Sequence, residues 1–246
     1  MTLATITPEW PAPARVKAVA TERGGGVSRG LYASLNLGTH VGDEPDAVVD
    51  NRRVLVAKLQ LPAEPSWLEQ VHGTTIVDLD TDSPGAADGA VTSSFNRVCV
   101  VLTADCLPVL FTTTAGERVG VAHAGWRGLA SGVLPAAVAA MGGDPADLLV
   151  WLGPAIGPSA YEVGAEVRAA FSAADPGAEA CFQPNSRGRW QADLYGLARR
   201  SLAAAGVSAV YGGDFCTYLD AERFYSHRRE APCGRMATLI WLAAGC

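Results

Sequence analysis

Apolar positions along the chain fall mainly into short, β-branched runs set off by glycine and proline, and only a few stretches keep a helical period. The runs predict strands at Val16–Thr21, at residues 74–79, at Val98–Thr103, at residues 109–113 and 118–123, at Leu148–Leu152, at residues 207–211 and at Met236–Leu242. A helix is predicted from Pro45, with Asp43 or Glu44 as its cap, carrying Val48, Val54, Leu55 and Leu59 and stopping before Leu61-Pro62. A buried helix is expected from Gly128 onward, through Leu129, Val133, Val138 and Met141, with Pro135 at a kink or a fresh start. Amphipathic helices are expected at 162–171 and 194–205, the second closed by Gly206. Residues 82–85, 87–89 and 115–116 read as turns, and 153–158 and 187–189 as loops. No fixed-period repeat or linker interrupts this order, so the expected architecture is one α+β domain over residues 1–246, with mixed sheets flanked by helices.

Composition narrows the class. Hydrophobic residues at 49% and charged residues at 18% belong to a globular chain, and 246 residues are enough to bury a core without staples. A net charge of -6 argues against a nucleic-acid binder, which would show a basic face. No apolar run reaches the ~20 residues of a membrane span. The first ten residues show no basic segment followed by an apolar one, so no signal peptide is expected. The six cysteines form no C-x-x-C pair and read as reduced thiols of a cytoplasmic protein. Nothing in the pattern signals assembly, and a monomer is the default expectation.

Candidate chemistry gathers where the runs end. Cys106 follows one apolar run, His123 closes another, and His72 stands beside a glycine next to a third apolar segment. Two imidazoles and a thiolate on strand ends suit a catalytic zinc that keeps a fourth position open. Singly, each has another explanation: Cys106 as a buried small side chain, the histidines as hydrogen-bonded imidazoles. No H-E-x-x-H helix and no deaminase H-x-E with P-C-x-x-C joins them. The segment 23–30, with three consecutive glycines and two arginines, is an anion-wrapping loop or a plain hairpin. Its Gly26-Val27-Ser28-Arg29-Gly30 fits the G-x-S-x-G elbow only by chance, because no strand leads directly into a helix there.

Several strings in order along the chain carry a resemblance: Gly25-Gly26-Val27-Ser28, Ser34-Leu35-Asn36-Leu37-Gly38, His40-Val41-Gly42-Asp43, Asn51-Arg52, Gln70-Val71-His72-Gly73, Ala87-Asp88-Gly89, Ala104-Asp105-Cys106, Ala122-His123-Ala124-Gly125-Trp126-Arg127-Gly128, Gly153-Pro154-Ala155-Ile156-Gly157-Pro158, Tyr161-Glu162-Val163-Gly164 and Phe224-Tyr225-Ser226-His227-Arg228-Arg229. Together they resemble the YfiH-type family, also known as laccase-domain purine nucleoside phosphorylase, polyphenol oxidase and peptidoglycan editing factor. The resemblance implies an α+β domain related to cysteine-hydrolase-like toxin domains, with zinc on the residues matching His72, Cys106 and His123. It implies phosphorolysis of adenosine, inosine, guanosine and methylthioadenosine, and deamination of adenosine.

Within that frame Cys106, Asp105 and Arg127 are the catalytic candidates, and Arg52, Ser28, Asn36 and His40 the substrate-binding ones. Arg127, Arg52 or the arginines near Ser28 would hold phosphate as a bidentate partner. Asp105 would orient a neighbour or move a proton, and is equally a turn former. Trp126 and Tyr161 would stack on a base, or serve as core. The expected partners are a purine nucleoside and phosphate, with neither nucleic acid nor membrane. Three alternatives stand beside this: an amidase editing a nucleotide-linked muramoyl precursor, a zinc-stabilised binding module, and a copper-dependent polyphenol oxidase. Copper (Cu2+) is disfavoured, because four histidines are too few for a multicopper cluster as well as this site.

Overall fold

A strand that is apolar on both faces must be covered on both faces, and this requirement sets the layering of the molecule. The computed structural model describes residues 3–244, so Met1, Thr2 and the expected free thiol of Cys246 lie outside the described residues. In chain order the elements are β1 (Thr5–Ile6), β2 (Val16–Thr21), α1 (Pro45–Leu59), β3 (Ile76–Asp78), β4 (Gly89–Thr92), β5 (Val98–Thr103), β6 (Leu107–Thr113), β7 (Val119–Ala124), α2 (Trp126–Ala130), α3 (Val133–Met141), β8 (Leu148–Leu152), β9 (Glu162–Val163), α4 (Ala165–Ala174), β10 (Phe182–Pro184), β11 (Trp190–Ala192), α5 (Leu194–Ala204), β12 (Ala209–Gly212) and β13 (Met236–Leu242).

Two sheets carry the structure. One has four strands in the order β1-β2-β13-β5, and the other six in the order β12-β8-β6-β7-β4-β3. The second is mixed: β12 with β8 and β3 with β4 run parallel, and its other pairs are antiparallel. In β5 the alternation shows what each face does. Val98, Val100 and Leu102 join Leu55 of α1 in one cluster, while Cys99 and Val101 join Leu110, Val121 and Trp151 from the six-stranded sheet. The far face of that sheet, with Val109, Phe111 and Ala122, packs on Leu134 of α3, Val167 of α4 and Leu202 of α5. The layers therefore run helix, sheet, sheet, helices, and the fold is α+β with mixed sheets flanked by helices. A third, small sheet of order β10-β11-β9 is hydrogen-bonded separately, and its Val163, Phe182 and Ala192 join the same core as the helices.

The structure departs from the sequence expectations where long-range pairing overrides local pattern. The helix expected at 162–171 begins only at Ala165, because Glu162 and Val163 pair with Gln191 and Trp190 as a strand. The loop at 187–189 is the connection between β10 and β11, short strands the pattern did not reveal. The helix expected from Gly128 is two helices. Gly132, at φ 96, separates them, and Pro135 lies in the first turn of α3, where a missing N–H costs nothing.

The expected turn at 87–89 is instead buried: Ala87 and Asp88 are inaccessible and Gly89 opens β4. A Cβ at Gly89 would lie 2.6 Å from the Val121 carbonyl, so only glycine lets β4 approach β7 there. At the start of α1, Glu44 is the N-cap residue and makes no side-chain cap bond. The Asp43 carboxylate accepts from the Glu44 amide, from Ser28 and from Asn36. Among the described residues no helix is long and apolar enough to cross a membrane.

Candidate metal centre

The pairing of β6 with β7 brings the first two candidate ligands together. Pro108 faces His123 and Leu107 faces Ala124, so Cys106, just before β6, emerges beside the end of β7. The third ligand arrives on a loop tied to the same sheet edge by Asp88. Its carboxylate accepts from the backbone N–H groups of Val71 (3.2 Å), His72 (2.9 Å) and Gly73 (2.6 Å), and pairs with His123 Nδ1 at 2.8 Å. The Asp88 carbonyl accepts from the His123 amide at 2.7 Å. One inaccessible carboxylate therefore sets both histidines, and with Nδ1 engaged, His123 keeps Nε2 for Cys106 and a metal.

The ligand atoms of His72, Cys106 and His123 lie within 4.8 Å of one another. The two imidazole rings meet edge to face, with centroids 4.8 Å apart. Gly125 closes the group from behind: a Cβ there would stand 3.0 Å from Cys106 Sγ and 3.1 Å from His72 Cδ2. Both His72 (φ 60) and Asp105 (φ 91) hold left-handed backbone, which is rare outside glycine and gathers at functional sites. One sulfur and two nitrogen donors, deprotonatable and convergent, fit a zinc with three protein ligands.

The electrostatics of these three side chains agree with that fit. Burial alone would push the Cys106 thiol up, but His123 and then His72 outweigh it and bring its pKa down to about 6. Burial likewise opposes charge on His123, yet Cys106 and Asp88 raise it to about 9. For Asp88, burial works against the anion, and the bonds from His123 and the Gly73 amide outweigh it and keep the carboxyl below its usual range. A thiolate held ready at neutral pH is the form that binds a soft dication.

The group opens into a cavity of about 450 Å³, whose lining includes His40, Asp105, Trp126, Ile156, Tyr161, His227, Arg228 and Arg235. The chain has four histidines, and all four line this one cavity.

Comparison with known proteins bears on the whole chain. The model described as multi-copper polyphenol oxidoreductase laccase matches residues 17–243. A curated Pseudomonas aeruginosa protein named purine nucleoside phosphorylase is 54% identical over 240 residues, covering 97% of this chain and 98% of that one. Escherichia coli YfiH, also named purine nucleoside phosphorylase, is 51% identical over 96% of this chain and 98% of its own length. The chain belongs to the YfiH family. Solved structures of the family share its fold: a Neisseria meningitidis protein superposes with a TM-score of 0.94 at 48% identity, covering 98% of this chain and 99% of that one. YlmD from Geobacillus stearothermophilus does so at 0.85 and 32%, covering 94% and 93%.

On this YfiH-family scaffold the structure gathers some of the expected site residues and sends others elsewhere. His72, Cys106 and His123 converge, and Asp105 and His40 line the cavity. The Asp105 carboxylate is fully engaged, accepting from Thr217 Oγ1 at 2.6 Å and from the Arg228 amide at 2.7 Å. Arg127 is exposed, outside the cavity lining, with its guanidinium 4.5 Å from the centroid of the Trp126 ring. Arg52 donates through Nε and Nη2 to the Leu37 carbonyl and stacks 3.8 Å from the Trp67 ring centroid.

Ser28 and Asn36 are buried in a network with Asp43 and Asn51. Ser28 Oγ donates to Asp43 and accepts from Asn51 Nδ2, and Asn36 Nδ2 donates to Asp43 and the Gly38 carbonyl. Ser28 borders a separate cavity, with Arg29 and Tyr32. These polar side chains build the 23–43 loop.

Sequence reasoning overlooked Asp88, Gln70, Arg228 and Arg235 as individual contributors. Gln70 acts as a strand surrogate, exchanging bonds with both the amide and the carbonyl of Leu102. The signal for Asp88 was a lone carboxylate inside the small and apolar run 86–91, a position that demands partners.

Proposed function

We propose that the chain is a zinc-dependent purine nucleoside enzyme that cleaves adenosine, inosine, guanosine and methylthioadenosine by phosphorolysis and deaminates adenosine. The observation that carries this is the convergence of three ligand side chains, His72, Cys106 and His123, in the lining of a cavity wide enough for a nucleoside. The names borne by the P. aeruginosa and E. coli relatives support the substrate class.

When bound, zinc supplies Lewis-acid polarisation at an open coordination position. The rest is done by the chain. Trp126, Ile156 and Tyr161 offer an apolar and aromatic wall for a purine face. Burial and then the Cys106 charge push the Tyr161 hydroxyl up, so it stays a neutral hydrogen-bond donor at working pH. Asp105 acts as a positioning residue, since both its oxygens hold the wall formed by Thr217 and Arg228. Arg228 in turn donates from Nη1 to the Glu162 carbonyl and lies 5.3 Å from the Tyr161 ring centroid, which fixes the aromatic wall. In phosphorolysis a phosphate oxygen forms the new bond to ribose C1′ while the C1′–N9 bond breaks and its electron pair leaves on the purine.

The test combines metal analysis with chromatography of adenosine incubated with and without phosphate. Retained zinc, ribose 1-phosphate with adenine, and inosine are expected, with loss of all turnover in Cys106→Ala. Turnover in that variant at the wild-type rate refutes the assignment. Unchanged adenosine with a metal-loaded protein points instead to amide hydrolysis of a cell-wall precursor.

A further inference from the structure

We propose that His40 and Arg235 form an oxyanion subsite at the edge of the metal cavity, built to take inorganic phosphate. The inference rests on the phosphorolytic reading for the identity of the anion. The nucleosides themselves carry no charge, so within that reading the anion is the co-substrate.

Both residues line the cavity alongside His72 and Cys106. They lie far apart in sequence, but hydrogen bonds tie Arg235 to the loop that carries His40. The Arg235 amide donates to Asn36 Oδ1 at 2.9 Å, and the Leu37 amide donates to the Arg235 carbonyl at 3.2 Å. A Cβ on Gly38 would meet Arg235 Cγ at 2.8 Å, so glycine is what lets this loop lie against the arginine stem.

The guanidinium is anchored at one nitrogen only. Nη1 donates to the carbonyls of Cys233 (2.9 Å) and Gly234 (3.1 Å) and to Cys233 Sγ (3.5 Å), while Nε and Nη2 make no hydrogen bond among the described residues. That leaves the edge of the fork that binds a phosphoryl group in bidentate fashion. Among the described residues Arg235 has no carboxylate within ion-pair distance, whereas Arg23 and Arg229 pair with Glu230, and Arg223 pairs with Glu22.

Cationic side chains crowd this corner, since Arg235, Arg52 and His72 all bear on His40. Partial burial and then the charges of Arg235, Arg52 and His72 disfavour protonation of His40. Asp105 is the one carboxylate among the described lining residues, and its oxygens are turned to Thr217 and the Arg228 amide rather than to an arginine side chain. Arg52, which the sequence had nominated for phosphate, is spent on the Leu37 carbonyl and the Trp67 face. It contributes long-range charge here and no contact.

The experiment uses the zinc-loaded chain and two readouts: the phosphate KM in adenosine cleavage, and phosphate binding measured by calorimetry without nucleoside. Arg235→Met is expected to raise both the KM and the Kd for phosphate at least about tenfold, with Arg235→Lys recovering part, because one charge-assisted bidentate contact is lost. The adenosine KM is expected to stay within about threefold, since uncharged ligand binding does not use this corner. His40→Ala, on an exposed loop, is expected to weaken phosphate several-fold and serves if the arginine variant unfolds.

Phosphate KM and Kd within about twofold of wild type in both variants would overturn the subsite. If the wild type shows phosphorolysis under that outcome, the subsite alone is wrong. If the wild type binds phosphate through these residues but cleaves nothing, the subsite stands and the phosphorolytic reading falls. A diphosphate nucleotide that binds where inorganic phosphate does not would place a substrate phosphoryl group there and overturn the assignment to free phosphate.

Discussion

Replacing Asp88 with asparagine tests the logic of the centre most directly. Oδ1 accepts from the His72 amide at 2.9 Å and faces His123 Nδ1 at 2.8 Å, while Oδ2 accepts from Val71 at 3.2 Å and Gly73 at 2.6 Å. All these partners are N–H groups when His123 carries its proton on Nδ1. An asparagine has one carbonyl oxygen, so whichever pair it serves, its amide nitrogen faces two donors across the other. Two bonds to an anion are lost, each worth about 1.5–3 kcal/mol net, and a donor–donor contact replaces them. Water reaches the exposed Val71–His72 side and restores part of that loss, which leaves an expected destabilisation of roughly 2–4 kcal/mol.

Because the same carboxylate orients one ligand and pins the loop of another, metal affinity should fall about 10- to 100-fold as well. Urea unfolding of metal-free protein gives the first quantity, and competition with a chromogenic chelator gives the second. Unfolding free energy within about 0.5 kcal/mol of wild type, together with unchanged zinc affinity, would refute the role of Asp88 as the organiser of the site.

Further outcomes follow from the same geometry. Gly125→Ala should cost metal affinity at least about tenfold while shifting metal-free stability by less than about 1 kcal/mol. Its Cβ would crowd Cys106 and His72 while the backbone, at φ -65, accepts alanine; equal zinc affinity in chelator competition would refute this. Asp105→Asn should retain turnover with an unchanged pH profile but make the 217–228 segment more sensitive to protease. Loss of one limb of the pH–rate profile would instead identify a proton carrier.

In metal-free protein, alkylation of Cys106 should follow a midpoint near its lowered pKa of about 6, and a midpoint near the ordinary thiol value of 9.0 would refute the thiolate pair. The corresponding stability has two edges. The His123 contribution is fully present below 6.5 and lost as pH rises through about 9, and the Cys106 contribution is fully present above 9.0 and lost as pH falls through about 6. The thermal midpoint of the metal-free chain should therefore drop at both ends of that range.

Much of the scaffold was legible in the pattern because its strands are buried on both faces. Val98–Thr103 and Met236–Leu242 are largely apolar runs, interrupted only by buried threonines, and the structure begins and ends them at the expected residues. The helix Pro45–Leu59 was equally clear, bounded by a proline at its first turn and by Gln60 in left-handed backbone after it. Short strands such as β9, β10 and β11 were not, since two or three residues carry no period and take their conformation from a partner far along the chain.

For the site, the sequence by itself determined the ligand chemistry: a cysteine and two histidines placed where strands end, in strings that carry the family resemblance. Convergence was decided only in three dimensions. The β6–β7 register sets Cys106 beside His123, and Asp88, which reads locally as a turn, becomes the buried hub that joins His123 to the His72 loop. The arginines show the same division. Their number and charge are read directly from the chain, but only packing decides that Arg52 bonds a carbonyl through two nitrogens while Arg235 lines the cavity bonded through Nη1. Hydrogen-bond partners and solvent exclusion are properties of neighbours in space, and a linear order of residues does not carry them.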